Sequence, residues 1–194
     1  MRSGLLHAAS VTVHRIGFVV ALVSVLLTGC ASLSPEWGAA APGGFELAGR
    51  VAVRYGAEGA SGRIAWRHSA AADELLITSP LGQGIARITR HGAVFKLVTA
   101  DRKEHEASDA ESLTESVLGW RLPLAGLPDW VQGRADPARV ATVVRDVRDR
   151  LSELKQDDWR IEYQEYEGAR PSKLRISRDD LEIRLVVDQW MDPQ

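Results

Sequence analysis

A strict two-residue alternation begins at position 45 and constrains the fold of this chain more than any other feature. Apolar or small residues take every second position while charged residues fall between them, as in Phe45, Leu47, Gly49, Val51 and Val53 against Glu46, Arg50 and Arg54. Successive side chains of a strand point to opposite faces, so the pattern predicts a β-strand with one buried and one solvated face.

Further segments of the same kind follow at short intervals. Gly62, Ile64 and Trp66 alternate against arginines after a Gly-containing loop, and three more short apolar segments occupy residues 75–78, 85–90 and 94–99. The intervening residues 79–82 and 91–92 have turn-like composition. Short strands at this spacing predict a meandering antiparallel sheet and not a βαβ unit.

The strand pattern stops at Ser108-Asp109. These capping residues precede apolar residues at helical spacing, which end at Gly119, so one short amphipathic helix is expected after five strands. A further helical turn is expected within residues 127–132, where Pro128 suits a first-turn position. Both helices would cover one face of the sheet. Alternation returns in residues 159–163, 174–176 and 181–187, and the last strand ends at Trp190.

Residues 140–154 allow two interpretations. Their apolar residues fall at i, i+3, i+4, i+7, i+11 and i+14, which is the stripe of an amphipathic helix. The alternative is a strand, a turn around residues 148–150 and a second strand. Periodicity alone favours the helix.

The N-terminal residues predict an export signal. Arg2 and Arg15 precede an uncharged apolar run at residues 16–27, which is too short for a membrane-spanning helix of ~20 residues. The run closes on Leu27-Thr28-Gly29-Cys30, which resembles the lipobox of bacterial lipoproteins; the alternative is an ordinary signal with an incidental cysteine. We therefore expect a signal peptide at residues 1–29, a lipidated Cys30 with a tether over residues 30–44, and a folded domain over residues 45–194.

Charge and composition exclude several classes of protein. The chain has 24 basic and 26 acidic residues, and removal of the first 29 residues would leave 165 residues with a net charge of −4. Such a chain has no electrostatic footprint for nucleic acid and no polybasic patch for lipid headgroups. Cys30 is the only cysteine, so an internal disulfide is impossible.

The sequence contains none of the common catalytic motifs. The phosphate loop, the dinucleotide fingerprint and the nucleophile elbow are all missing from the sequence, and we expect no catalytic residue, metal or cofactor. His105 between Glu104 and Glu106 is best interpreted as part of a solvated charged edge. The six tryptophans suit either ordinary core packing or an apolar cavity partly lined by rings.

Leu81 is an unusual residue for the centre of a tight connection. Turns generally select Gly, Pro, Asn, Asp or Ser, whereas Ser79-Pro80-Leu81-Gly82 presents a large aliphatic side chain. Either Leu81 packs back onto the sheet edge, or it is an exposed apolar residue that enters lipid or a partner.

Taken in order, these motifs resemble the LolB family, and the resemblance spans nearly the whole chain after the signal. The matching elements are the Cys30 signal, Phe45-x-Leu47-x-Gly49-Arg50, Gly62-x-Ile64-x-Trp66, Ser79-Pro80-Leu81-Gly82, Gly119-x-x-Leu122-Pro123, Leu154-x-Gln156-x-x-Trp159 and Val187-x-x-Trp190. The family is one of outer-membrane lipoproteins that receive other lipoproteins from a periplasmic carrier, LolA. Ser79 stands where asparagine also occurs in the family.

The resemblance implies a fold and a task. The fold is an unclosed antiparallel β-barrel of about eleven strands with short helices over an apolar cavity, in which residues 140–154 would be strand, turn and strand. The task is to take cargo acyl chains from a LolA-like carrier and release them into the inner leaflet of the outer membrane, with Leu81 in the insertion step. A monomer facing the periplasm is expected.

Four residues of the first hairpin are the candidates for lining the acyl cavity. They share one alternation phase and are Val51, Val53, Ile64 and Trp66. Two competing functions remain open: a lipid-anchored assembly factor that pairs through its sheet edge, and a lipid-anchored hydrolase, which the missing nucleophile motif disfavours.

Overall fold

Eleven antiparallel strands form one continuous sheet in the computed structural model, which describes residues 44–191. The strands are β1 Phe45–Tyr55, β2 Glu58–His68, β3 Ala72–Thr78, β4 Gly84–His91, β5 Val94–Thr99, β6 Glu104–Ala107, β7 Ala141–Arg145, β8 Leu151–Gln156, β9 Trp159–Glu167, β10 Arg170–Arg178 and β11 Leu181–Met191. The sheet order is β6-β5-β4-β3-β2-β1-β11-β10-β9-β8-β7. β6 and β7 are therefore its two free edges, and the prediction of an unclosed antiparallel sheet of about eleven strands is confirmed.

One face of the sheet is buried, as the alternation predicts. In β1 and β2, Leu47 pairs with Trp66, Gly49 with Ile64 and Val51 with Gly62, so that their side chains share one face. Similar alternation in β3 and β8–β11 joins these residues in a single apolar core. Arg50 lies on the opposite, solvated face, where its guanidinium contacts the Asp188 carboxylate at 2.7 Å.

The chain between the two edges forms the helical cover of the buried face. Helix α1, Ala110–Leu118, begins at Asp109, whose carboxylate accepts hydrogen bonds from Glu111 N and Ser112 N, and ends at Gly119 in a left-handed conformation (φ 81°). Helix α2, Leu127–Trp130, starts with Pro128 in its first turn. Both predicted helices are confirmed, but a short sixth strand, β6, precedes them where the sequence indicated only five.

The helix favoured by periodicity over residues 140–154 is wrong. The segment forms β7, a tight turn and β8, as the family resemblance implied. Asp146 stabilises the turn, because its carboxylate accepts hydrogen bonds from Arg148 N and Arg150 N and from the Arg150 guanidinium. The valines of the supposed apolar stripe are exposed, so no helix face is buried here, and β-branched residues favour a strand.

Within residues 44–191, no helix has the length and apolar character needed to cross a membrane. The proposed signal, Cys30 and nearly all of the tether lie outside these residues.

Candidate functional site

The buried face extends along the whole first hairpin and contains all four cavity candidates. Val53 is 8% exposed, Ile64 7% and Trp66 1%, and Val51 is partly buried. Val53 pairs with Ala60, six residues before Trp66 on β2, so the face runs about 20 Å along the strands between them. These residues therefore border one continuous apolar surface.

Trp66 is fixed at one end of this surface by a buried charged cluster. Its indole Nε1 donates to Asp73 Oδ1 at 2.9 Å, and His68 Nδ1 lies 2.7 Å from the same oxygen. The Arg90 guanidinium donates to the other carboxylate oxygen. Burial of Asp73 would raise the pKa of its carboxyl, but the hydrogen bonds from His68, Arg90 and Trp66 outweigh burial and lower that pKa.

Helix α2 is held onto β8 and β9 by a second buried polar cluster. Gln156 Oε1 accepts from Trp130 Nε1 and from Asp136 N, both at 2.9 Å, and Gln156 Nε2 donates to the carbonyls of Asp136 and Arg139. The Tyr163 hydroxyl donates to Trp130 O at 3.0 Å. Burial raises the pKa of Tyr163 far above its ordinary value, so the hydroxyl stays a donor.

Helix α1 makes a few polar contacts with the rest of the domain. Glu111 accepts a hydrogen bond from the Arg178 guanidinium at 2.8 Å, and this guanidinium also stacks over the Trp159 ring. Thr114 Oγ1 accepts from Leu122 N at 2.9 Å and thereby fixes the chain that leaves the helix. Otherwise α1 packs through apolar residues against β5 and β6.

A cleft opens where α1 ends, and we call it the mouth cleft. It has a volume of about 670 Å³ and is lined by Tyr55, Glu115, Gly119, Trp120, Arg121, Asp158, Arg178, Asp179, Asp180 and Leu181. An inner pocket of about 130 Å³ shares Tyr55, Gly119 and Trp120 with it and reaches Val53. An opening rich in charged groups thus leads to the apolar face at one end of the sheet. We call this end of the sheet the mouth end.

The inner pocket is too small for a long acyl chain. An apolar cavity of about 150 Å³ holds one benzene-sized molecule, and the remaining buried face is filled by its own side chains and by the cover. In the described residues the apolar face is therefore covered along most of its length.

Leu81 projects into solvent at the mouth end. Gly82 N donates to Ser79 O at 2.8 Å and Ser79 N to Gln83 O at 2.7 Å, so Leu81 lies at the tip of a hydrogen-bonded turn between β3 and β4. Its side chain is 91% exposed, which excludes packing against the sheet edge. Trp66, Trp130 and Trp159, by contrast, are fully buried in the core.

Sequence reasoning missed both buried polar clusters, although a signal for each was present. Asp73 occupies the same alternation phase as Leu75 and Ile77, and Gln156 the same phase as Leu154. A polar residue in the apolar phase of a strand must find buried partners. The charged edge around His105 is as interpreted, since Glu104 and Glu106 are exposed and both pair with Lys96.

Among the described residues, no group of three or more His, Cys, Asp or Glu side chains is placed to hold a metal ion. The fold and its site define a class: a mainly β domain whose apolar sheet face is closed by a short helical cover. Residues 43–190 match the family model of the outer membrane lipoprotein LolB. The chain belongs to the LolB family of outer-membrane lipoproteins.

Two relatives in sequence agree with the family model. The chain is 42% identical over 177 residues to an outer-membrane lipoprotein LolB from Thiobacillus denitrificans, covering 89% of this chain and 95% of that protein. A LolB from Nitrosomonas europaea is 42% identical over 152 residues, covering 75% and 72%. A solved LolA superfamily protein from the same organism aligns with a TM-score of 0.49 at 10% identity, covering 77% of this chain and 86% of that one.

Proposed function

We propose that this chain accepts the acyl chains of lipoproteins from a LolA-like periplasmic carrier onto its buried sheet face and releases them into the inner leaflet of the outer membrane. The observation that carries the proposal is the long apolar face under a short helical cover. Cys30 would hold the protein to the membrane through its lipid. Together with family membership, this face supports a lipid-handling role over an enzymatic one.

Exposure of acyl chains to water supplies the thermodynamic reason for such a receptor. Each methylene transferred from water to an apolar surface contributes ~0.8 kcal/mol, so a triacylated protein cannot cross the periplasm unshielded. The sequence carries no nucleotide-binding motif, so transfer is expected to run by differences in affinity from carrier to receptor to bilayer. Because the sheet face must first displace its own cover, it would bind acyl chains weakly enough to release them to the bilayer.

Loading then requires that α1 and the segment after it separate from the sheet. Gly119 has a positive φ and lies between α1 and Trp120, at the joint of the mouth cleft and the inner pocket. The Glu111–Arg178 hydrogen bond is the polar contact between α1 and β10 that must break. Movement of α1 would extend the inner pocket along the face towards Ile64.

Chemical cross-linking of α1 to the sheet tests whether the cover must move. In a Cys30→Ala background, Glu111→Cys with Arg178→Cys gives two thiols that a short bis-maleimide can link. We expect the affinity of the linked protein for a fluorescent fatty acid to be at least tenfold lower than that of the same protein capped with a single-headed maleimide. Equal binding by the linked and capped proteins would contradict the need for the cover to move.

A matched control separates restricted movement from damage by the linker. Arg50 and Asp188 form a pair of similar length on the outer face of β1 and β11. Linking Arg50→Cys to Asp188→Cys leaves the cover free, so this protein should bind the fatty acid normally.

One observation favours a second function, that of an assembly factor acting by edge pairing. β7 is a free edge on which Val143 and Val144 are both exposed, although they point to opposite faces. An unprotected edge is a template for pairing with another chain. An assembly factor of this kind would not bind fatty acid stoichiometrically, so the same binding measurement distinguishes the two functions.

A further inference from the structure

The mouth cleft and the inner pocket together have the shape of a site for an amphipathic ligand. The cleft of about 670 Å³ is lined mainly by charged side chains, whereas the inner pocket of about 130 Å³ reaches the apolar residues Val53 and Leu118. Tyr55 and Trp120 line both cavities, and an aromatic ring with a polar tip suits such a boundary. A ligand with an alkyl chain and a polar head fits here with its chain inward and its head in the cleft.

The charges around these two cavities do not balance. Both arginines of the mouth cleft already have a carboxylate partner, since Arg121 pairs with Glu115 at 2.8 Å. Arg178 pairs with Glu111 at the same distance, 2.8 Å. Four other acidic residues on the walls of the two cavities are exposed, and within residues 44–191 their carboxylates make no ion pair and no hydrogen bond. We call them the lip carboxylates, and they are Glu58, Asp158, Asp179 and Asp180.

Local structure explains why two of these positions are polar, but not why they are charged. Asp158 and Asp179 have positive φ angles, of 64° and 50°, in the tight turns β8–β9 and β10–β11. Turns of this kind select Asn, Asp or Gly, so an asparagine would suit the backbone equally well. The negative charge is therefore free to act on a ligand in the cleft. A cleft that carries charge of one sign between low-dielectric walls concentrates its field at the opening.

We propose that the lip carboxylates select the ligand by the charge of its head, admitting acyl chains on an uncharged head and opposing those on an anionic head. The inference rests on the proposed function, because lipoprotein acyl chains are joined through uncharged ester and amide groups. Fatty acids and anionic membrane lipids instead carry a carboxylate or a phosphate close to their chains. Repulsion between exposed charges extends over ~10 Å at 0.1 M salt, which is about the width of a cavity of this volume. The receptor would thus take up cargo in preference to anionic lipids.

Two ligands with the same alkyl chain and different heads test this inference. The Cys30→Ala protein is titrated at neutral pH with glyceryl monolaurate, which is uncharged, and with laurate, which is ionised, each below its critical micelle concentration. We expect glyceryl monolaurate to bind at least tenfold more tightly than laurate at low salt. The ratio of the two affinities should shrink at high salt, because the lip carboxylates are then screened.

Neutral replacements of the lip carboxylates separate their effect from a general preference of an apolar site for uncharged heads. The lip variant combines Glu58→Gln, Asp158→Asn, Asp179→Asn and Asp180→Asn. It should bind laurate at least fivefold more tightly than the wild type and bind glyceryl monolaurate unchanged, which also shows that it is folded. The matched control neutralises four exposed carboxylates that line neither cavity and should keep the wild-type ratio. It combines Glu104→Gln, Glu106→Gln, Asp149→Asn and Glu165→Gln.

The possible outcomes distinguish this inference from the proposed function. Equal affinities of the wild type for the two ligands at low salt would overturn the inference, as would an unchanged ratio in the lip variant or the same change in the control. None of these results would contradict the proposed function, which requires only that an acyl chain binds. Failure of the wild type to bind glyceryl monolaurate would instead contradict the proposed function, and the inference with it.

Discussion

Asp73 shows how a single buried charge stabilises the apolar sheet. Asp73→Ala would remove the carboxylate that accepts from Trp66 and Arg90, and removing one partner of a buried ion pair costs about 3–5 kcal/mol. We expect a loss of that size in the free energy of unfolding at pH 7, measured by urea denaturation. Glu74→Ala, at the neighbouring position with a looser contact to Arg87, should change it by less than about 1 kcal/mol.

The same residue predicts a pH dependence with a defined sign. The pKa of Asp73 is lower in the folded than in the unfolded protein, so its ionised form stabilises the fold above the unfolded value near 3.8. This stabilisation is lost as the pH falls from about 4 through the folded pKa. The difference in stability between the wild type and Asp73→Ala should therefore shrink on acidification, and a constant difference down to pH 2 would contradict the assignment.

Leu81 is the residue at which loading and delivery should separate. A charge at the tip resists entry into lipid by roughly 2–3 kcal/mol, which corresponds to about a hundredfold slower delivery if tip insertion limits the rate. Leu81→Glu should load from the carrier normally and deliver slowly to liposomes. Val147→Glu is the matched control, since Val147 is also fully exposed but lies in the turn between β7 and β8, at the opposite end of the sheet. Normal delivery by Leu81→Glu would exclude the insertion role.

At the scale of elements, Gln156 determines how α2 sits on the sheet. Gln156→Met has a similar volume but cannot satisfy Trp130 Nε1 or the backbone of Asp136, and each unsatisfied buried group costs about 1–3 kcal/mol. We expect a loss of about 2–4 kcal/mol in the free energy of unfolding, together with faster hydrogen exchange in residues 127–131. Lys155→Met, on the exposed side of β8, should have little effect; the same exchange rates in both variants would show that α2 is held by apolar packing alone.

Strands were predictable from the sequence where one face is buried, and ambiguous where both faces meet water. β1, β2 and β11 alternate because their neighbours on both sides fix one buried face. β7 has one neighbouring strand, and its valines are exposed. The spacing of its apolar residues therefore does not mark a buried face, and it coincides with a helical period. The carboxylate of Asp146, which defines the turn to β8, acts through local hydrogen bonds that periodicity does not detect.

The site was predictable only in part, for a related reason. Alternation places Val51, Val53, Ile64 and Trp66 on one face, because that depends on local geometry alone. The closure of that face depends on contacts between residues far apart in sequence, such as Glu111 with Arg178. Gly126 is another example, because a Cβ there would lie 2.3 Å from the Trp130 ring, a constraint visible only once α2 is folded.

At the scale of the whole molecule, membrane attachment and cargo binding should be independent. Cys30→Ala removes the proposed lipid site but leaves residues 44–191 unchanged, and no other cysteine is present to take a lipid. We expect this variant to fractionate with the soluble periplasmic proteins and still bind a fluorescent fatty acid. Continued tight partition into the outer membrane would contradict Cys30 as the anchor, whatever the binding result.

The central pairing of β1 with β11 has a consequence for how the chain folds. On either side of it, every strand pairs only with its neighbours in sequence, so β1–β6 and β7–β11 are two meanders of local hairpins. Local contacts form quickly, whereas β1 and β11 are separated by most of the domain, so we expect this pair to form last. A chain cut within residues 131–140 would thus yield two fragments, each with a complete set of hairpins, whose reassembly requires that this seam closes and that α1 and α2 of the first fragment dock onto β8, β9 and β10 of the second.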